Sequence, residues 1–278
     1  MRPLCIYHGN CFDGFGAAWV VRKYFHGEVE MFEGVYGQPP PDCTGRDVYM
    51  VDFSYPRVQM DQIVKECGTL YVFDHHKTAE EALRGLELEA RVVFDMGRSG
   101  VGITWDELFP DKAMPWLLRH IEDRDLWRFE YPKTKTVQAG LSSYPFDFEV
   151  WDRLISQGDN AINALSIEGN AIERKHWQDL RQILKVTKRY INLGGYRILC
   201  ANVPFTMTSD AGNEMCKEHP TLFAACYWDT PDARVYSLRS LEGGIDVSEI
   251  ATLYGGGGHK HAAGFQIPAE HFDFWDEA

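Results

Sequence analysis

Short apolar runs alternate with stretches of helical periodicity through the first half of the chain. Leu4-Cys5-Ile6-Tyr7, Val48-Tyr49-Met50-Val51 and Leu70-Tyr71-Val72-Phe73 are continuous apolar runs between polar positions, the pattern of strands buried on both faces. Gly16-Ala17-Ala18-Trp19-Val20-Val21 is expected to open a helix after a glycine-rich turn, and the segment from Val58 to Val64, following Pro56, suits a short one. Strands spaced by helices predict parallel βαβ units. From about residue 159 to 190 the chain is polar and helix-prone, with Ile162, Leu165, Ile172, Trp177, Leu180 and Ile183 near helical spacing. Strand signals resume after Gly194-Gly195, at Arg197–Cys200, Leu222–Tyr227 and Arg234–Leu238. The expected architecture is α/β. A parallel-sheet N-terminal domain covers 1–158, a helical connector 159–194, and a smaller C-terminal α/β domain 195–278.

Composition narrows the class. A length of 278 residues and 45% hydrophobic content suffice for two cores. No segment reaches the length of a membrane span and the start lacks the apolar core of a secretory signal, so a soluble, cytoplasmic protein is expected. The seven cysteines are dispersed with no Cys-x-x-Cys pair, which argues against a disulfide framework or a structural zinc site. A formal net charge of -13 disfavours tight, sequence-independent binding of long nucleic acid, because that relies on Lys and Arg displacing counterions. A small phosphorylated substrate in a local basic pocket remains compatible.

Each of the three apolar runs ends in a side chain that can hold a metal: His8, Asp52 and Asp74-His75-His76. In an open parallel sheet the carboxyl ends of the strands line the ligand crevice, so three strands would deliver these groups to one edge. Asp oxygen with His nitrogen suits Mn, Zn, Fe or Co better than Ca. Taken alone, Asp74-His75-His76 could equally be a solvated turn. The loop from His8 to Gly16 places Asp13 among glycines that allow close backbone approach to a ligand, or it is an Asp-capped turn. Gly97-Arg98-Ser99-Gly100 could present Arg98 and backbone amides to a phosphate, or form an ordinary helix cap. The acidic run from Ile121 to Trp127 could complete a metal site or end a helix. Gly255-Gly256-Gly257-Gly258-His259-Lys260 implies a backbone that lies close to something, and its free amides could cradle phosphate. It runs into Ala262-Ala263-Gly264-Phe265-Gln266-Ile267, which reads as a packed element.

Taken in order, the segment from His8 to Asp13, Asp52, Asp74-His75-His76, Arg98-Ser99-Gly100, the Asp123 region and the terminal glycine-His259 run resemble the motifs of the DHH phosphoesterase superfamily. The branch resembled is RecJ-like and nanoRNase-like and carries the DHH-associated C-terminal domain. The resemblance spans nearly the whole chain. It implies a hydrolase that uses two Mn2+ ions, with Mg2+ or Co2+ as substitutes, to cleave phosphoester or phosphoanhydride bonds. It implies metal-ligand roles for His8, Asp13, Asp52, His75 and Asp123, with Asp52 as the bridge. Asp74 would support these ligands and His76 would face the substrate phosphate. Arg98, Ser99, Arg239, Gly256, Gly257, Gly258 and His259 would bind substrate. Many relatives carry Asp-x-Asp-Gly where this chain has Cys11-Phe12-Asp13-Gly14, so a part for Asn10 or Cys11 in metal binding stays open, as does Asp125 in place of Asp123. The expected substrate is short single-stranded RNA or DNA, trimmed from an end. A cyclic dinucleotide, a small nucleotide or polyphosphate is the alternative, as is a nucleotide-binding regulator with weak catalysis. A homodimer is compatible with all of these.

Overall fold

The computed structural model describes residues 1–269; residues 270–278, the end of the expected C-terminal domain, lie outside the described residues. The chain divides into two compact units, Met1–Arg174 and Lys175–Ala278.

In the first unit, β1 (Leu4–His8), β2 (Glu30–Gly34), β3 (Asp47–Val51), β4 (Thr69–Asp74) and β5 (Arg91–Phe94) form a parallel sheet in the order β2-β1-β3-β4-β5. Helices α1 (Phe12–Tyr24), α2 (Arg57–Glu66), α3 (Lys77–Ala82), α4 (Gly100–Leu108), α5 (Trp116–Asp125), α6 (Thr134–Leu141) and α7 (Phe148–Ser156) complete it. The continuous apolar runs are explained by two cores. Cys5, Tyr7, Tyr49, Val51 and Phe73 pack with residues of α1, α4 and α5, while Leu4, Ile6, Val48, Met50, Leu70 and Val72 pack with Met60 and Ile63 of α2. Alternate residues of each strand thus serve opposite faces.

Helix α1 begins at Phe12, four residues before the expected start at Gly16, and is buried from Asp13 to Val21. Its glycines act as packing surface rather than as a turn. A Cβ at Gly14 would lie 2.3 Å from the carbonyl oxygen of His8, so only glycine lets the first turn of α1 press against the end of β1. The edge strands β2 and β5 escaped the sequence pattern because they are only partly buried and carry charged residues.

Helix α8 (Asp159–Thr187) is the expected helical connector, and the division between units falls within it. The second unit holds β6 (Arg189–Leu193), β7 (Tyr196–Asn202), α9 (Thr208–Cys216), β8 (Phe223–Asp229), β9 (Ala233–Ser240), α10 (Val247–Thr252), β10 (Gly257–His259) and β11 (Ala262–Pro268). Its strands form a mixed sheet in the order β10-β11-β9-β8-β7-β6, with only β7 and β8 parallel. The end of the span read as connector is therefore strand β6. Ile198, Cys200, Ala225 and Leu238 pack with α10 on one face, and Leu199, Ala201, Ala224 and Cys226 with α9 on the other. No helix among the described residues is long and apolar enough to cross a membrane.

Candidate metal centre

In the first sheet the strand order reverses between β1 and β3, which is where the carboxyl ends of a doubly wound sheet open a crevice. His8 ends β1, Asp52 follows β3 and Asp74 ends β4, so the reversal brings all three to one place. Asp52 holds a left-handed backbone (φ 52°), and its amide still donates to the Phe73 carbonyl at 2.9 Å. This turns its carboxylate off the strand axis and into the crevice.

The two oxygens of Asp52 have different company. Oδ1 lies 3.2 Å from His75 Nε2, and Oδ2 lies 3.4 Å from His8 Nδ1 and 3.6 Å from Cys11 Sγ. His75 Nε2 is also 3.7 Å from Asp13 Oδ2 and 3.5 Å from Asp125 Oδ2. Two sets of potential metal-binding atoms result, Asp13-Asp52-His75 and His8-Asp52-His76, each with its atoms within 4.8 Å of one another and each using Asp52. Asp13 reaches the crevice from the first turn of α1, and its Oδ1 accepts from the Val101 amide at the start of α4. The opening of α4 is shaped for this contact, since a Cβ at Gly100 would meet Asp52 Cβ at 2.4 Å and Asp13 Oδ2 at 2.8 Å.

Asp74 is fully buried behind the cluster. One of its oxygens accepts from the His75 amide (2.7 Å), from the His76 amide (3.3 Å) and pairs with His76 Nδ1 (2.7 Å). This bracket fixes the His76 ring through Nδ1, the arrangement by which a carboxylate orients an imidazole for another task.

The electrostatics of the cluster suit bound cations. Burial and then the charges of Asp52 and Asp125 push Asp13 well above the usual carboxylate range. Burial acts upward on Asp52 as well, yet hydrogen bonds from His75 and His8 hold it well below that range. Burial would lower His75, but the Asp52 hydrogen bond and the charges of Asp125, Asp52 and Asp13 raise it to about 10. Asp13 Oδ2 is buried without a hydrogen-bond partner. Buried carboxylates crowded in this way are unfavourable unless cations compensate them, and mixed carboxylate and imidazole donors suit divalent transition metals. The residues fit a metal centre.

Comparison with known proteins bears on the whole chain. Residues 213–277 match the DHHA1 domain. A solved DHH domain from a member of the s1p family of ribosomal proteins superposes with a TM-score of 0.61 at 12% identity, covering 96% of this chain and 83% of that one. The second unit thus matches a DHHA1 domain, and the chain has the fold of that solved DHH domain. Over 288 residues it is 33% identical to an uncharacterized protein of Acanthamoeba polyphaga mimivirus, covering 93% of this chain and 66% of that protein. Oligoribonuclease NrnB of Bacillus subtilis is 25% identical over 303 residues, covering 97% of this chain and 74% of NrnB.

Within the first unit, the structure brings His8, Asp13, Asp52, Asp74, His75 and His76 together, but Asp123 does not join them. Its carboxylate accepts from the amides of Glu130 (2.8 Å) and Tyr131 (3.2 Å) and from the Thr134 hydroxyl, and the neighbour at His75 is Asp125. Residues two apart on a helix point to different sides, so only one of this pair can face the crevice. Arg98 also lies elsewhere than expected: its guanidinium pairs with Glu122 and Asp106. Ser99 is a buried helix cap whose hydroxyl accepts from the Gly102 amide. Tyr36, whose ring is 5.5 Å from that of His8, was not foreseen, because nothing in its sequence surroundings sets it apart.

In the DHHA1 unit, His259, Ala262 and Arg239 are aligned partners on β10, β11 and β9, so His259 and Arg239 share a face across a small residue. Arg239 donates to the hydroxyls of Ser209 (2.8 Å) and Ser237 (2.9 Å), and Gly212 of α9 makes room for its stem. The glycine run lies against its own sheet. A Cβ at Gly256 would meet the Gly264 carbonyl oxygen at 2.0 Å, and Gly258 has φ 138° and sits against Ala262 and Ala263. Close backbone approach, expected for a ligand, is thus already required by β11.

Proposed function

We propose that the chain is a metal-dependent phosphodiesterase that hydrolyses short oligonucleotides from an end. The observation that carries this reading is the double use of Asp52, whose carboxylate belongs to both the Asp13-Asp52-His75 and the His8-Asp52-His76 sets. His8, Asp13, Asp52 and His75, with Asp125 beside His75, would hold two divalent cations, Mn2+ first and Mg2+ or Co2+ as substitutes. Cations so held supply Lewis acidity toward a phosphate and activation of water at neutral pH.

The chain's own residues do the rest. Asp74 pairs with His76 Nδ1 and so orients the imidazole, which would contact a non-bridging phosphate oxygen. Asp125 and His8, with side chains 30% and 29% exposed, mark the solvent side of the cluster and hence the side from which substrate would enter. The α4 amide at Val101 holds Asp13 in position. In the DHHA1 unit, Arg239 and His259 would bind a nucleotide phosphate, with the Ser209 and Ser237 hydroxyls orienting the guanidinium. The similarity to an oligoribonuclease supports a nucleic-acid substrate, and the net charge of -13 favours short ones.

The test is to incubate Mn2+-loaded protein with 5′-labelled oligonucleotides from dinucleotides to about 16 residues, the upper site size of a single-strand groove, and to resolve products over time. Fastest cleavage of the shortest, lost in Asp52→Ala, is the expected result. No cleavage with Mn2+, Mg2+ or Co2+, or cleavage unchanged by Asp52→Ala, overturns the reading.

A further inference from the structure

The loop that follows Asp125 ends α5 on a left-handed aromatic residue, where glycine is the usual choice. Trp127 (φ 56°) and Phe129 (φ 54°) both hold left-handed backbone, a conformation rare for bulky side chains. Trp127 is nonetheless 36% exposed, so burial of its indole does not offset the strain. The loop is held in this shape by Asp123. Its backbone oxygen accepts from the amides of Arg128 and Phe129, and its carboxylate from those of Glu130 and Tyr131 and from the Thr134 hydroxyl. Strain that is over-determined by its surroundings is the pattern of a functional segment.

What the strain achieves is visible in the side chains. The Arg124 guanidinium lies 4.0 Å from the centre of the Trp127 ring and 5.6 Å from that of Phe129, and Lys135 Nζ is 4.7 Å from Phe129. The two rings meet edge to face at 5.1 Å. In a chain of net charge -13, aromatic rings and cations are gathered at one exposed loop. Trp127 is two residues beyond Asp125, a span of at most about 7 Å of chain. Asp125 Oδ2 is itself 3.5 Å from His75 Nε2. The platform therefore stands within one nucleotide of the metal centre. Flat rings flanked by cations are the general means of binding a single-stranded base without reading its identity.

We propose that Trp127, set by the strained loop and backed by Arg124 and Phe129, is a base-stacking subsite for the nucleotide adjoining the phosphate at the metal centre. This rests on the oligonucleotide reading above and deepens it, because it makes the substrate a nucleic acid rather than polyphosphate. It also gives Asp123 a role as a positioning residue for substrate in place of metal ligation.

The experiment measures binding separately from cleavage. Fluorescein-labelled pentadeoxynucleotides with phosphorothioate linkages, one fully based and a set abasic at each position in turn, are titrated with Mn2+-loaded wild type, Trp127→Ala and Trp127→Phe. Wild type is expected to bind the fully based probe about tenfold more tightly than one of the abasic probes. Trp127→Ala should lose roughly that factor on the fully based probe and nothing on that abasic one, and Trp127→Phe should recover most of it. Equal loss on all probes, no loss on any, or no probe binding by wild type overturns the subsite. Binding with this pattern but no cleavage of ordinary oligonucleotides would leave the subsite standing and remove the hydrolase reading.

Discussion

Replacing Gly100 by alanine tests whether the metal centre depends on a missing methyl group. Gly100 is the first residue of α4 and its φ lies outside the left-handed region, so the backbone accepts alanine. Helix propensity alone would favour the change by up to about 1 kcal/mol. The obstacle is steric. The new Cβ would lie 2.4 Å from Asp52 Cβ, 2.9 Å from Asp52 Cα and 2.8 Å from Asp13 Oδ2. Ordinary carbon contacts begin near ~3.5 Å, so α4 and Asp52 must separate by about 1 Å. Neither the Asp52 backbone nor its Cβ can swing away as the end of a long side chain would. Overpacking of this kind costs about 1–3 kcal/mol, and a displacement of about 1 Å in a catalytic group lowers turnover about 100-fold. Gly16→Ala is the matched control in the same layer of the fold. Its Cβ would lie 3.2 Å from the Val101 Cγ2 methyl and in ordinary contact with Val101 Cβ (3.5 Å) and Leu118 Cδ2 (3.7 Å), and a shift of a few tenths of an ångström relieves the one tight approach. Thermal melting, Mn2+ titration calorimetry and turnover of a dinucleotide are measured for both. Gly100→Ala is expected to melt several degrees lower, bind Mn2+ more weakly and turn over about 100-fold more slowly, while Gly16→Ala stays within about twofold in turnover. Wild-type metal affinity and turnover in Gly100→Ala, or an equal loss in Gly16→Ala, would refute the steric argument.

Other consequences are independent of that one. His75 is raised to about 10, so at pH 7.5 Mn2+ must displace its proton. Calorimetry in buffers of different ionisation enthalpy should show that release, and heats independent of buffer would contradict it. The same raised His75 adds stability to the metal-free protein that is complete below its ordinary value of 6.5 and lost as pH rises through about 10. Denaturant midpoints in EDTA should therefore fall across that window, with a flatter profile in His75→Gln; identical profiles would remove His75 as the cause. Finally, Asp123→Asn should destabilise the fold by about 1–3 kcal/mol with metal affinity kept, because it disturbs a buried acceptor of two amides and a hydroxyl. Asp125→Asn should do the reverse, and swapped phenotypes would exchange their assignments.

The sheet of the first unit was legible because strands buried on both faces leave unbroken apolar runs, and the ends of those runs named His8, Asp52 and Asp74-His75-His76 directly. Where burial is partial the pattern dissolves, as in β2 and β5. The early start of α1 was hidden because glycine was read as a turn former, when Gly14 is there for close packing on His8. The choice between Asp123 and Asp125 could have been sharpened by helical geometry, but which of them faces the crevice depends on how the loop from Arg128 to Thr134 folds back to hydrogen-bond Asp123. Arg98 looked like a phosphate donor because its ion-pair partners Glu122 and Asp106 are chosen by packing of α4 and α5. The pairing of His259 with Arg239 likewise needs the register of three strands, and residue order along the chain is silent about that.

The left-handed backbone of Asp52 has an evolutionary consequence. A fully enclosed carboxylate in a conformation that favours glycine opposes folding through its geometry. A lineage released from selection on catalysis should therefore gain fitness of the fold by replacing it, and glycine would be the simplest replacement. Loss of Asp52 would then precede erosion of the strands and helices around it. In a descendant of this protein, that single position would date the end of its chemistry while the rest of the architecture still looked intact.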